Sequence, residues 1–596
     1  MKRPPLKLFP FIRFYLNEFK IAIGFGFLFI AIATLFQLLV PWLLRDAIDV
    51  IAREKSSFAF QHRPASTLLV LSAVSIVAVT LAGGLFRFLM RYTLIGVSRR
   101  IEVRIRNDLF EHLQSLSPGY FFRQQTGDLM ARATNDLDAV RSLIGPGIMH
   151  LASTVLMVVT ALYLMQRISL SLTAWSLMLL PVSILAVNRR LRAIHKLFER
   201  IQAQFSALTA MVEENLSGIR VIKSYVREKS EVIRFSKLSR ELVERNLALA
   251  RVRAALRAEI QLLIGAGMIL VLTLGGRQVI LERLSVGGLV AFMAYLNMLA
   301  WPMVALGWVL NLWQQGLASL KRIILVMAEQ PEIADSNITD HTLGIPQGDI
   351  EFRNINFAYQ DGPPVLKEIN LAIPQNSTVA VVGPTGSGKS TLVHLIPRLI
   401  EPVQGELILA GRDIRTWPLE NLRQSIGFVT QETFLFSDTL RGNIAHGGEA
   451  GTCDEAAVNA AVELSQLQRD LDQLADGLDT VVGERGVTLS GGQKQRTAIA
   501  RALVRDPRLL ILDDALSSVD AYTEEKILRG LRSMRGSRTL IFVSHRLSSV
   551  RDADLIAVLN EGRIVEQGVH EDLMKLDGLY AKMVRRQMLE QSLAEI

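Results

Sequence analysis

Nine consecutive residues, Gly383, Pro384, Thr385, Gly386, Ser387, Gly388, Lys389, Ser390 and Thr391, have the types and spacing of a loop that holds phosphate. They follow the apolar run Thr378–Val382 and precede a stretch that reads as a helix starting near Thr391, so the loop joins a strand to a helix N-terminus. Glycine lets the backbone approach closely, and the N–H groups of 385–390 converge where the helix dipole favours an anion. Lys389 adds a positive charge for β- and γ-phosphates, and Ser390 offers a hydroxyl to Mg2+. Further on, Leu509-Leu-Ile-Leu512 is a short apolar strand ending in two carboxylates, Asp513 and Asp514. The chemistry these residues point to is the handling of a nucleoside triphosphate with magnesium.

The pentapeptide Leu-Ser-Gly-Gly-Gln at 489–493 opens another helix about 20 residues before that carboxylate-tipped strand. Ser490, Gly491 and Gly492 place a hydroxyl and backbone N–H groups at its N-terminus, again favouring anions. Phosphate loop, pentapeptide and strand, in this order and spacing, resemble the ATP-binding-cassette (ABC) ATPases. The resemblance implies ATP and Mg2+ as ligands, with Ser390, Asp513 and Gln431 at the metal. It further implies that Tyr359, 24 residues before Gly383, stacks on adenine and that His545 contacts the γ-phosphate. A strand tyrosine also occurs for packing alone, and His545 carries weight through its place after an apolar strand. Ser490 to Gln493 then face the ATP of an opposite domain, and Asp520, closing Ser517-Ser-Val-Asp520, reaches across the dimer. The run 480–486, around Glu484, resembles the exporter loop that meets the transverse helices. In the family a Glu normally follows the magnesium-binding Asp and polarises the attacking water. Here Asp514 stands in its place, one methylene shorter, so catalysis by Asp514, Gln431 and His545 is expected to be slow.

The elements that must carry this site occupy only part of the chain. At 596 residues the chain exceeds one core, half its residues are apolar, and the apolarity concentrates before residue 315. A membrane span takes about 20 apolar residues. Six stretches qualify, at about 20–44, 67–90, 147–166, 169–188, 259–281 and 287–313, the third and fourth divided near Gln166-Arg167 and the fourth interrupted by Pro181. The first follows Lys2, Arg3, Lys7, Arg13 and Lys20, yet it is too long for a signal peptide and lacks a small-residue cleavage site. Arginines 87, 91, 99 and 100 after the second span, and Arg189, Arg190, Arg192 and Lys196 after the fourth, place those ends and the N-terminus in the cytoplasm. The net charge of +9 then follows from topology, and basic clusters abutting spans, without interleaved aromatics, argue against nucleic acid. Cys453, the single cysteine, excludes an internal disulfide and a multi-thiolate metal site.

Two polar stretches, about 91–146 and 189–258, show helical spacing and read as spans extended into the cytoplasm. Turn signals at Pro118-Gly119 and Thr126-Gly127 flank a short helix in the first. Phe121, Gly127, Arg132 and Asp136 resemble the first intracellular loop of ABC exporters, whose transverse helices dock on the ATPase domains. Residues 329–348, rich in turn formers, read as a linker.

The expected fold is a membrane all-α bundle of six transmembrane helices, domain-swapped in the dimer, followed by an α/β P-loop ATPase domain. The expected domains are 1–328 with the cytoplasmic loops, the linker 329–348, and the nucleotide-binding domain 349–596. The whole chain resembles a half-size ABC exporter of the multidrug and lipid type, most closely the MdlA-like subunits of heterodimers. This implies a multi-pass protein of the bacterial inner (plasma) membrane, with N-terminus and ATPase domain cytoplasmic. Its partners are membrane lipid, a hydrophobic or amphipathic substrate (drug, lipid or peptide), and a second half-transporter, a different chain supplying a catalytic Glu. Alternatives are an ATP-gated or regulatory membrane protein without uphill transport, an importer using the exporter fold, or a slow homodimer. Trp301 and Trp308, seven apart with Asn297 on roughly the same side, mark a face suited to apolar or aromatic-binding cationic compounds, or to helix packing.

Overall fold

Long apolar runs become long helices, because a backbone in lipid must satisfy its hydrogen bonds within its own segment. The computed structural model describes residues 4–52, 65–178, 180–359, 362–448, 454–483, 486, 489–533, 538–546 and 549–594. The chain divides into two units: residues 1–114 with 126–329, and residues 115–125 with 330–596. The expected position Glu484 and Cys453 lie outside the described residues.

The first unit is helical. In chain order its helices, with the one intervening helix that belongs to the second unit, are α1 Leu8–Glu18, α2 Lys20–Ile51, α3 Ala65–Ser115, α4 Pro118–Arg123, α5 Thr126–Ala131, α6 Leu137–Ser142 and α7 Ile148–Ile168. There follow α8 Leu170–Met178, α9 Leu180–Ser217, α10 Ile219–Ser224, α11 Glu228–Ile280, α12 Val286–Met298 and α13 Ala300–Ala328. Among the described residues, four helices are long and apolar enough to cross a membrane: Lys20–Ile51, Thr67–Ser115, Thr126–Ile168 and Glu228–Ile280. The fourth expected span is described as α8 and α9, on either side of residue 179, which lies outside the described residues. The sixth is a pair of helices, α12 and α13, parted at Leu299, because Pro302 has no N–H for the carbonyl of Met298. The division between the third and fourth spans falls at Ser169 rather than Gln166-Arg167: the Ser169 hydroxyl accepts from Leu172 N at 3.3 Å and starts a new helix.

α1 precedes the first span and was not signalled by any long apolar run. It buries Phe11 and Tyr15 against Val97, Ile101 and Ile105 of α3 and Leu320 and Ile323 of α13. The Tyr15 hydroxyl donates to Asp108 at 2.7 Å, fixing the helix to the polar C-terminal half of α3. Two π-helical turns, Arg132–Asp136 and Leu143–Gly147, flank α6, the second around Pro146. Asp136 is buried there, accepting from Ser319 Oγ at 2.9 Å and Arg322 Nε at 2.8 Å on α13.

The second unit carries two sheets. The strands are β1 Ile350–Ala358, β2 Pro364–Ile373, β3 Thr378–Val382, β4 Gln404–Leu409, β5 Arg412–Asp413, β6 Ile426–Val429, β7 Leu509–Asp513, β8 Thr539–Val543, β9 Leu555–Asn560 and β10 Arg563–Gly568. One sheet is antiparallel, in the order β2-β1-β4-β5; the other runs β10-β9-β3-β8-β7-β6 and is parallel apart from β10. The parallel strands are buried on both faces: Ala380 and Val382 enter one apolar cluster, Val379 and Val381 the other. Leu510 and Leu512 divide from Ile511 in the same way. Two covered faces are why these strands read as unbroken apolar runs.

The segment read as a linker is fastened along its length. Asp335 accepts from Leu419 N at 3.0 Å, Asp340 N donates to Thr416 O at 2.8 Å, and Asn421 Nδ2 donates to Leu343 O at 2.7 Å.

Candidate functional site

Because β3, β8, β7 and β6 are neighbours and parallel, their carboxyl ends emerge side by side. Those ends lead into Gly383–Thr391, Ser544-His545, Asp513-Asp514 and Gln431 respectively. The crevice outside the carboxyl ends of an open parallel sheet is where such folds take ligands. Residues scattered over more than 160 positions are thereby gathered at one sheet edge.

The phosphate loop is shaped by its glycines. Gly388 adopts φ +101° immediately before the helix Lys389–His394, and a Cβ on Gly383 would stand 2.0 Å from the carbonyl oxygen of Leu559. Lys389 is 5% exposed and donates through Nζ to the carbonyls of Gly383 at 2.9 Å and Pro384 at 2.8 Å. Burial lowers its pKa, while the charges of Asp514 and Asp513 hold it up. The ammonium therefore sits inside the loop with its proton anchored, ready for phosphate oxygens. Ser387 Oγ is buried without a hydrogen-bond partner beside Gly383, a further donor turned into the cradle.

Ser390 Oγ donates to Asp513 Oδ1 at 2.9 Å, and Asp513 is 1% exposed. Burial raises its pKa most, the Ser390 hydrogen bond opposes this, and the adjacent Asp514 adds to the rise. A hydroxyl and a carboxylate are hard oxygen donors that suit Mg2+, which typically takes one or two carboxylates and completes its shell with water and substrate phosphates. No cluster of three or more His, Cys, Asp or Glu stands ready for a metal among the described residues.

Asp514 has φ +49°, in the left-handed region, and its N–H donates to Val543 O at 3.1 Å. Burial again raises its pKa, against the charges of His545, Lys389 and Arg546 and a hydrogen bond from Gln431. His545 and Gln431 thus both act on the Asp514 carboxyl. A cavity of about 240 Å³ opens beside Asp514, lined also by His545, Arg546, Glu524 and Ser549. Tyr359 is 45% exposed, its hydroxyl 3.2 Å from Thr391 Oγ1 and its ring edge-on to Phe357, which leaves ring surface free for a base.

The pentapeptide forms a separate cluster. Ser490 and Gln493 make a reciprocal capping box, Ser490 Oγ accepting from Gln493 N at 3.3 Å and Gln493 Oε1 accepting from Ser490 N at 2.9 Å. Gly491 and Gly492 pack on Ser518 so closely that a Cβ would approach it within 3.3 and 3.1 Å. Asp520 caps the helix Ala521–Ser533 through Thr523 N at 2.9 Å.

Three residues at the site were not anticipated. His394 has Nε2 3.8 Å from Asp513 Oδ2 and its ring edge-on to Phe428. Arg546 pairs with buried Glu524 and donates to Val519 O at 2.8 Å and Ser517 O at 3.1 Å. Gln495 donates to Ser517 Oγ at 3.0 Å. For Arg546 and Gln495 the signal in the sequence was closeness to His545 and to the pentapeptide; His394 had none.

Known protein families match both parts of the chain. The ABC transporter transmembrane region matches residues 23–303 and the ABC transporter domain residues 366–517. The chain is 37% identical over 98% of its length, and 97% of the relative, to the probable multidrug resistance ABC transporter ATP-binding/permease protein YheI of Bacillus subtilis. It is 35% identical to the multidrug resistance-like ATP-binding protein MdlA of Escherichia coli, covering 99% of this chain and 98% of that one. An ATP-dependent lipid A-core flippase of Syntrophus aciditrophicus is 33% identical, over 91% of both chains. Among solved structures, a bacterial Atm1-family ABC exporter with ATP bound superposes with TM-score 0.80 at 28% identity, covering 95% of this chain and 99% of the other. A multi-pass helical unit, a nucleotide-handling sheet edge and relatives matched end to end lead to one conclusion: the chain belongs to the ABC transporter family and is a half-size exporter, whose ATPase is coupled to transport.

Proposed function

We propose that this chain is one half of an asymmetric heterodimer in a bacterial inner membrane, with its N-terminus and ATPase domain cytoplasmic, exporting a hydrophobic or amphipathic compound. In this reading Gly383–Thr391 hold the ATP phosphates, Tyr359 takes the adenine, and Ser390, Asp513 and Gln431 attend Mg2+, which supplies charge neutralisation at the phosphates. Asp514, Gln431 and His545 position the attacking water. The observation that carries the asymmetry is Asp514, half-buried at the end of β7 under the influence of Gln431 and His545. A carboxylate withdrawn by about 1 Å costs on the order of 10²-fold in rate. The site built on this chain's phosphate loop therefore holds ATP and turns it over slowly. The pentapeptide, with its capping box whole, completes the site of a partner that supplies a catalytic Glu.

The test is to purify the chain alone and with its partner half, each with and without Asp514→Glu. The mixture is expected to hydrolyse ATP far faster than the chain alone, and Glu at 514 to raise turnover of this chain's own site. Equal rates in all four samples would remove both the asymmetry and the slow site. In inside-out vesicles, export fills the lumen; an importer or a regulator leaves it unfilled.

A further inference from the structure

The chain passes between its two units at three places, 114/115, 125/126 and 329/330, and the structure gathers what lies just beyond them. Ser117 Oγ accepts from Ile333 N at 2.8 Å, and both residues are buried. Arg123 Nη2 donates to Glu332 Oε1 at 2.6 Å. Gly119 leaves room for the same carboxylate, since a Cβ there would lie 3.1 Å from Glu332 Oε2. The short helix α4 is therefore fastened to the chain's own linker at both of its ends.

The linker in turn holds the ATPase fold two residues later. Leu419 is the first residue of the helix Leu419–Gln424, and Pro418 before it offers no side-chain cap. Its N–H, otherwise unpaired at a helix start, is taken by Asp335 at 3.0 Å. That helix runs straight into β6, which ends two residues before Gln431, the residue that hydrogen-bonds Asp514. Short elements thus connect α4 to the carboxylate of Asp514 through residues 332–335.

We propose that residues 332–335 are a tie bar, in which Arg123, Glu332 and Asp335 are positioning residues that hold α4 in fixed register with the Gln431 end of the ATP site. The proposal rests on reading the chain as an ATP-driven exporter. It gives the linker a part in the reaction: movement of Gln431 on ATP binding or release is carried to α4, and through α4 to α3 and α5, which adjoin it in the chain.

The full chain, with its partner half, is reconstituted in vesicles, and ATP-dependent movement of ethidium and of a fluorescent phospholipid is measured with ATP turnover. Arg123→Glu and Glu332→Arg are each expected to lower transport per ATP hydrolysed by about three- to tenfold, with Tm and ATP affinity unchanged. The double swap, Arg123→Glu with Glu332→Arg, restores the ratio, and Asp335→Asn lowers it as the single reversals do. Unchanged coupling in the single variants would overturn the tie bar, as would a loss the double swap fails to restore, or one explained by lower Tm. If the unaltered protein moves neither probe in either orientation, the exporter reading falls, and the tie bar with it.

Discussion

At the scale of single residues, function turns on how far a charged group is held from its target. Among the described residues Lys389 is the side-chain cation bonded into the phosphate loop, so Lys389→Ala is expected to weaken ATP binding, whereas Asp514→Asn leaves binding nearly intact. A fluorescent nucleotide titration distinguishes them, and equal loss in both would contradict the division of roles. Asp514 was legible in the sequence because it directly follows Asp513 at the end of an apolar strand. Its left-handed backbone was not legible, since Asp is compatible with several conformations and only the hydrogen bond to Val543 selects one. His394 was invisible for a different reason: its approach to Asp513 depends on the packing of its helix against β7 and β6.

At the scale of elements, the paired helices and π-helical turns are held by specific polar contacts. Asp136 fixes the turn Arg132–Asp136 to α13, and the Arg322 hydrogen bond holds its carboxyl below the ordinary range. Asp136→Asn is expected to destabilise the protein by about 1 kcal/mol, the low end for a charge-assisted hydrogen bond because Arg322 is half exposed. A depressed folded pKa contributes stability above the unfolded carboxylate value of about 3.9 and loses it as acid carries the pH through the lower folded value. The Tm difference between the two proteins should therefore hold at neutral pH, begin to shrink as the pH falls below about 4, and vanish only below the lower folded value. On the last span Trp308, 48% exposed, meets His150 of α7 at 5.0 Å, while the Trp301 side chain lies outside the described residues. Trp308→Ala is expected to change which compounds stimulate ATP turnover across a chemically varied panel; an unchanged profile removes this face from the substrate path. The spans were legible because about 20 apolar residues are hard to disguise, but the breaks between and within them depend on single residues such as Ser169 and Pro302.

At the scale of the whole molecule, the order of membrane half then ATPase half was plain from the uneven distribution of apolar residues. The membership of residues 115–125 in the second unit was not, because their partners lie 209 and 216 positions away and both segments are polar. That separation bears on how the protein is made. Synthesis at about 5–20 residues per second leaves α4 waiting roughly 10–40 s for the segment that covers it. The spans following α4 leave the ribosome in that interval, so the ATPase unit reaches its finished form only after they have been delivered. A polypeptide of residues 330–596 alone would lack Leu116, Ser117 and Tyr120 and bare Ile333 to water. Hydrogen exchange at the Ile333 amide should accordingly be slow in the full chain and fast in that fragment, and a peptide of residues 115–125 added to the fragment should slow it again.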